Sequence, residues 1–372
     1  MQLPRWFRWH QRAFPSANTA LVVGTRPILI DTGFGHDAEL TLRVVGEAGV
    51  RPQELLVVTM HHHSDHVGGN HHLQATFDVA VAAHRWEATM VNDRDVDACS
   101  AAWLDQPVQP YQVDVILDDG ETLDAGGPSL RVLHAPGHTL GHIALSVEDE
   151  RLLILGDAVH SDDVAWINVY REGAGAVRRA MASIERLAGL NPRVAISGHG
   201  PAIADPPAAF ASAHARYERW LDDPERIAWH TSKRIFAFAL MIRGGLALET
   251  LDEYLLSCSW FGDISRHAMR VEPRDFVEPF LDEMRRSGGA VEVDGVLRAA
   301  APHDVPLAGW ARAPTRPDRW PPRAAEPRRA RSSMFEREKT TSSESGGSSA
   351  TAVAAAADRV GACLRPRRDR HV

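Results

Sequence analysis

Residues 19–31, TALVVGTRPILID, are apolar at nearly every position on either side of Gly24-Thr25-Arg26-Pro27. That pattern predicts two short strands joined by a turn and buried on both faces. The chain breaks at Asp31-Thr32-Gly33-Phe34-Gly35, and Leu40, Leu42, Val44, Val45 and Ala48 then give helical spacing over 37–49. Apolar runs at 55–59 and 78–83 predict two more strands. So do 112–124 and 129–134, separated by Gly126-Gly127-Pro128. Residues 143–147 and 152–155 predict a hairpin across Glu148-Asp149-Glu150-Arg151. An amphipathic helix is expected over 174–190 and a last strand over 194–197. Many strands with helices interspersed predict an α/β fold in which helices lie outside two stacked sheets, an αββα sandwich.

From Pro206 the texture changes. Residues 207–222, 225–243, 247–257 and 273–287 read as helices, and they end at Gly288-Gly289. The segment VEVDGVLRA follows, with Asp294-Gly295 as the tight turn of a small hairpin. Helices followed by a hairpin resemble a winged-helix module. Three divisions are expected: 1–204 as the sandwich, 205–302 as the helical module, and 303–372 as a disordered tail. The tail is rich in Pro, Arg, Ala and Ser, and TTSSESGGSSATAVAAAA within it lacks the large apolar residues that a core needs.

The 372 residues are 44% hydrophobic, enough for a sizeable core. A net charge of −8 argues against nucleic acid as the main partner. The charge is uneven, because 14 basic and 7 acidic residues from Ala311 onward leave the first 310 residues at −15. Cys99, Cys258 and Cys363 are far apart and form no CxxC pair, so neither a disulfide framework nor a thiolate cage is expected. The stretch 1–14 has no apolar core of the signal-peptide kind, and no apolar run approaches the ~20 residues needed to span a bilayer. A cytoplasmic protein with no membrane partner is expected.

The segment Val58-Thr59-Met60-His61-His62-His63-Ser64-Asp65-His66-Val67-Gly68-Gly69 carries the clearest chemistry. Read as H-x-H-x-D-H, it offers four ligands in six residues. His61 and His63 point the same way in an extended loop, while Asp65 and His66 turn toward a second position. Neutral imidazole and carboxylate suit Zn²⁺ and similar cations. Other chemistry-bearing motifs follow apolar strands: Asp31-Thr32-Gly33, Ala135-Pro136-Gly137-His138-Thr139, Leu155-Gly156-Asp157 and Ser197-Gly198-His199-Gly200-Pro201.

In this order and spacing, the five motifs resemble those of the metallo-β-lactamase superfamily over roughly residues 18–204. The resemblance implies one metal held by His61, His63 and His138, and another by Asp65, His66 and His199, with Asp157 bridging. The implied cofactor is two Zn²⁺ ions, or Fe or Mn in their place. Asp31 would accept a hydrogen bond from a ligand imidazole and fix its tautomer. The cations would acidify a shared water to hydroxide and polarise the carbonyl it attacks, with Asp65 and Asp157 as the catalytic carboxylates. The glycines beside His138 and His199 would let the backbone turn tightly enough for each imidazole to face the metals. The sequence departs from the family in one place: Met60 stands where a threonine usually precedes the first histidine, and Thr59 lies one residue earlier.

The remaining histidines have plainer readings. His62, His71 and His72 read as a surface cluster. His142 reads as structural support, and His160 divides evenly between pocket wall and surface. Trp166 and Tyr170, between Asp157 and the next helix, are candidates for the substrate pocket. Cys99 and Cys258 read as small core residues.

The activity expected is hydrolysis of a small ester, thioester or lactone. The alternatives are a nuclease on RNA or DNA and a mononuclear iron dioxygenase of the same fold. The acidic body disfavours the nuclease, as does the short stretch between Asp157 and His199, which leaves no room for a large inserted domain. His63, where diiron relatives have glutamate, disfavours a diiron redox enzyme, and the complete ligand set disfavours a binding module without catalysis. The expected partner is a small-molecule substrate. The helical module is expected to close one side of the pocket or to mediate a homodimer.

Overall fold

Residues 3–169 and 175–306 are described by a computed structural model. Tyr170 and the tail from 307 lie outside the described residues. The first sheet has six strands: β1 (Phe7–His10), β2 (Thr19–Val22), β3 (Ile28–Ile30), β4 (Leu56–Val58), β5 (Ala80–His84) and β6 (Val115–Leu117), side by side in chain order. β1, β2 and β3 are antiparallel, and β3 to β6 are parallel. The second sheet runs β11-β10-β9-β8-β7, from β7 (Thr122–Asp124), β8 (Ser129–His134), β9 (Ile143–Val147), β10 (Leu152–Ile154) and β11 (Val194–Ile196). It is antiparallel except for the parallel pair of β10 and β11.

Each sheet is covered on its outer side. α1 (Ala38–Glu47), α3 (Asn70–Phe77) and α4 (Arg85–Asn92) set Val45, Leu73 and Val91 against Leu29, Val57 and Val81 of the first sheet. α6 (Ala176–Gly189) buries Val177, Ala180, Ile184 and Leu187, which recur at helical spacing, against Leu133, Leu153 and Ala195 of the second. α7 (Pro206–Asp222) joins the same layer through Phe210 and Tyr217. Between the sheets, Ala20 and Ile30 line the same small gap as Ile154 and Ile196. Burial on both faces is why β2, β3 and β4 read as unbroken apolar runs rather than alternating ones.

The expected strand over 112–124 is in fact two strands in different sheets. β6 pairs with β5, whereas β7 pairs with β8. The chain crosses between sheets at the turn before Thr122, where Gly120 takes φ +81° and Asp118 N–H donates to Glu121 Oε2. Asp118-Asp119-Gly120 is a turn signal inside an otherwise strand-like run. Two more short helices hold the site and the wall beside it: α2 (Ser64–Val67), next to α3 on the histidine segment, and α5 (Ala101–Leu104). Helical structure at 64–67 and 70–77 was not expected from the sequence.

Beyond α7 lie α8 (Glu225–Arg243), α9 (Leu251–Ser257), α10 (Ser259–Ile264), a π-turn at Ser265–Met269, and α11 (Pro273–Arg286). Phe236, Trp260, Phe261 and Phe280 form the centre of their core. The expected hairpin is β13 (Ala290–Val293) and β14 (Val296–Ala299), and β12 (Leu246–Ala247) adds a third strand in the order β12-β14-β13. Asp294 and Gly295 both take positive φ, +53° and +72°, as a two-residue turn that matches the strand twist requires. The strand-like bridge of Phe14 with His303, and the 2.7 Å bond from Asp304 N to Phe14 O, tie this region back to the start of the chain. Among the described residues, no helix is long and apolar enough to cross a membrane.

Candidate metal centre

Strand ends place the donors. His61, Asp157 and His199 each lie three residues beyond the last residue of β4, β10 and β11, at Val58, Ile154 and Ile196. Asp31 directly follows β3, and His138 sits in the loop from β8 to β9. His63 precedes α2, and Asp65 and His66 lie in its single turn. Residues far apart in sequence thus meet at one edge of the sandwich, on loops held by rigid strands.

The donors fall into groups whose ligand atoms lie within 4.8 Å of one another: His61 with His63 and His138, Asp65 with His66 and His199, and His61 with His66 and Asp157. His138 Nε2 is 2.9 Å from His63 Nδ1 and 3.2 Å from His61 Nε2. Ligands of a tetrahedral Zn²⁺ bound at ~2.0–2.1 Å would stand about 3.3 Å apart, close to that spacing. In the second group, His199 Nε2 is 3.2 Å from Asp65 Oδ2. Asp157 Oδ2 stands between the groups, 3.7 Å from His138 Nε2 and 3.7 Å from His199 Nε2. His66 Nε2 and Asp157 Oδ1 are 3.4 Å apart, and both are buried without a hydrogen-bond partner. A buried imidazole nitrogen and carboxylate oxygen that face each other, with no other group on either, fit a cation between them. The donor set therefore suits divalent metal.

The neighbours fix the imidazoles. His66 Nδ1–H donates to Asp31 Oδ2 at 2.7 Å, which points Nε2 inward. Asp31 is itself held by Met60 N–H at 2.8 Å and takes φ +55°. Met60 thus contributes its backbone there, and its side chain is wholly buried. His138 Nδ1–H donates to the Trp166 carbonyl at 2.6 Å. The Trp166 ring stacks on His63 at 5.0 Å. His142 Nε2 accepts from Asp157 N–H at 3.0 Å, and burial, followed by the charge of His138, holds its pKa down at about 3. His160 lines the cavity and bonds Ser197 Oγ.

Burial, then the neighbouring imidazoles, push His61 and His63 well below the usual histidine range. His138 is lowered too, by burial first. These three are lone-pair donors. His66 goes the other way: burial would lower it, but Asp31 and Asp157 together push it well up. Burial would raise Asp157, yet His199 and His66 hold it well below the usual carboxylate range.

Two supports were not visible in the sequence. Glu87, on α4, is buried and lies 2.6 Å from His62 Nδ1, while its other oxygen accepts from Thr139 Oγ1 at 2.6 Å. It braces from behind the two loops that carry His61, His63 and His138. His62 is therefore not a surface residue as expected; it is buried and joined to this carboxylate. His71 is also tied down, by Pro110 O at 2.6 Å, whereas His72 stays partly exposed as expected. The second support is Asn18, whose side-chain amide donates to Ser197 O and Gly200 O and so fixes the loop of His199. Phe14 stacks on His199 at 4.7 Å.

The glycines act mainly through room. Gly198 does not take positive φ, but a Cβ there would lie 2.2 Å from Asp157 Oδ1. A Cβ on Gly137 would collide with Ala180 of α6. Only Gly200, at φ +72°, needs the tight turn expected beside His199.

The centre opens into a cavity of about 680 Å³, where His63, Asp65, His138, Asp157 and His199 face Phe14, Leu104 and Trp166. α8 closes the far side with Lys233, Phe238 and Met241.

Residues 13–199 match the sequence model of the metallo-beta-lactamase superfamily. An acyl-coenzyme A thioesterase of Homo sapiens is 31% identical over 220 residues, 51% of this chain and 76% of that protein. A hydroxyacylglutathione hydrolase of Methylococcus capsulatus is 31% identical over 134 residues, 36% of this chain and 43% of that one. The crystal structure of a metallo-beta-lactamase family protein from Thermus thermophilus superposes with a TM-score of 0.52 at 24% identity, covering 80% of this chain and 100% of that one.

Proposed function

The chain belongs to the metallo-beta-lactamase superfamily, and we propose that it is a hydrolase of thioesters. The observation that carries the reading is Asp157 Oδ2, equally far from a histidine of each donor group, at the floor of a cavity large enough for an acyl chain. His61, His63 and His138 would hold one cation, Asp65, His66 and His199 a second, and Asp157 both. Such cations make water acidic near neutral pH and polarise a carbonyl. The chain's own residues do the rest. Asp65 faces the cavity beside His199 and serves as the base that takes the proton of the attacking water. Water adds to the acyl carbon, the C–S bond breaks, and the thiol leaves. Trp166 and Phe14 keep that space dry beside His63 and His199.

Two things favour a thioester over an ester or lactone. A thiol with a pKa of about 8.5 leaves as the anion without an acid to protonate it. And the relatives named above act on acyl groups of coenzyme A and glutathione, both thiols. The test is a panel of thioesters, lactones, esters and structured RNA, given to the metal-loaded protein with release of free thiol as the readout. Thiol release that chelation abolishes supports the reading. Cleavage of RNA alone, or one iron per chain with oxygen uptake on a thiol, overturns it.

A further inference from the structure

α7, α8 and α11 gather cations on one side of the cavity. Arg216, Arg219, Arg226, Lys233 and Arg286 line a cleft of about 600 Å³, together with Trp220, Trp229, His230 and Glu283. Arg216, His230 and Lys233 also line the cavity of the metal centre, so the two spaces share a wall.

The cleft has more positive charge than its carboxylates offset. Glu283 accepts from both Lys233, at 2.8 Å, and Arg286, at 2.9 Å. Asp163 lies 3.4 Å from Arg216 and also pairs with Arg234. Asp223 accepts from Arg226 at 2.9 Å. Arg219 has no ion pair among the described residues. With Glu225, which accepts from Trp229 Nε1 at 3.2 Å, four carboxylates stand against these six cations, Arg234 lying on the wall of the neighbouring cavity, in a protein whose first 310 residues carry −15. Burial, and after it the charges of Arg216 and Lys233, hold His230 down at about 4, as expected at a positive wall. Guanidinium forks at close spacing match the clustered oxygens of phosphate groups better than a lone carboxylate. The half-buried Trp229 supplies an aromatic edge in the same cleft.

We propose that this cleft binds the phosphate groups of the substrate's thiol carrier, so that the preferred substrate is a thioester of a phosphate-bearing thiol, with its acyl end in the metal-centre cavity. The inference rests on the thioesterase reading for its substrate but not for its binding chemistry.

The test uses the full-length, metal-loaded protein and the exposed pair Arg219 and Arg226, changed together to Glu and, separately, to Lys. Butyryl-coenzyme A is compared with S-butyryl-N-acetylcysteamine, which carries no phosphate. The wild type is expected to favour the coenzyme A ester in kcat/KM by about tenfold or more. The Glu pair is expected to remove that preference, chiefly through KM, and the Lys pair to keep most of it. Equal kcat/KM for the two esters in the wild type, or a preference that survives the Glu pair, overturns the proposal. Calorimetry with ADP is run on the same proteins. If neither ester is hydrolysed, the thioesterase reading fails; ADP binding that the Glu pair abolishes then upholds the phosphate site alone, and no ADP binding overturns that too.

Discussion

The two donor groups of the centre sit in different surroundings. His61, His63 and His138 are buried, although His63 and His138 reach the cavity wall, and they are braced through Glu87 and Trp166 and held neutral by burial. Asp65 and His199 border the cavity and keep part of their side chains open. Beside them, His66 is pushed up because Asp31 and Asp157 outweigh its burial. One group is built to grip with lone pairs; the other brings negative charge and access. We propose that the first group serves mainly to retain metal and the second to meet the reacting groups.

Removing what the groups share should do most. Asp157→Ala is expected to lower hydrolysis on the order of 10³-fold and to lower the metal content measured by elemental analysis well below that of the wild type. Undiminished metal content would mean that the groups do not depend on a common carboxylate. His63→Ala and His199→Ala separate them. Each should cost on the order of 10²-fold in activity, but added Zn²⁺ should restore His199→Ala better, since His199 is the less buried of these two cavity-lining histidines. Equal rescue of both variants would erase the contrast. Asp31→Asn keeps the shape and loses the charge that orients His66; metal affinity should fall about 10- to 100-fold in a competition titration with a chelator.

The smallest effect lies outside both groups. His84 accepts from Trp86 N–H and stacks on His134 at 4.0 Å; burial, then His134, pushes its pKa down to about 4. A lowered pKa gives stability that is whole above about 6.5, the unfolded value, and is lost as pH falls through about 4. The loss should be about 1–2 kcal/mol after allowing for solvent screening. His84→Asn keeps an acceptor at the start of α4 and does not titrate. Denaturant unfolding at several pH values should show a flatter acid limb for that variant; an identical limb would remove His84 from the account.

The sandwich was legible because burial on both faces leaves a plain mark, as in β2 and β3 around Gly24 to Pro27. The donors were legible because each sits in a short motif just past a strand. What the sequence hid depends on pairing across distance. Glu87 looks like any helical acid until α4 sets it against His62 and Thr139. The cationic cleft draws single residues from α7, α8 and α11, with no local pattern to mark it. The 112–124 run misled because apolar residues on both sides of Asp118-Asp119-Gly120 belong to different sheets.

Phe14 touches His199 with its ring and accepts from Asp304 with its carbonyl. A ligand-bearing loop is thereby coupled to both the start of the chain and the far end of the helical region. Such a clasp is expected to make the two segments open together, and Phe14 cannot leave without uncovering one face of His199. The Asp304 amide should accordingly exchange its hydrogen with solvent about as slowly as the amides beneath the centre, rather than at the rate of a loose end.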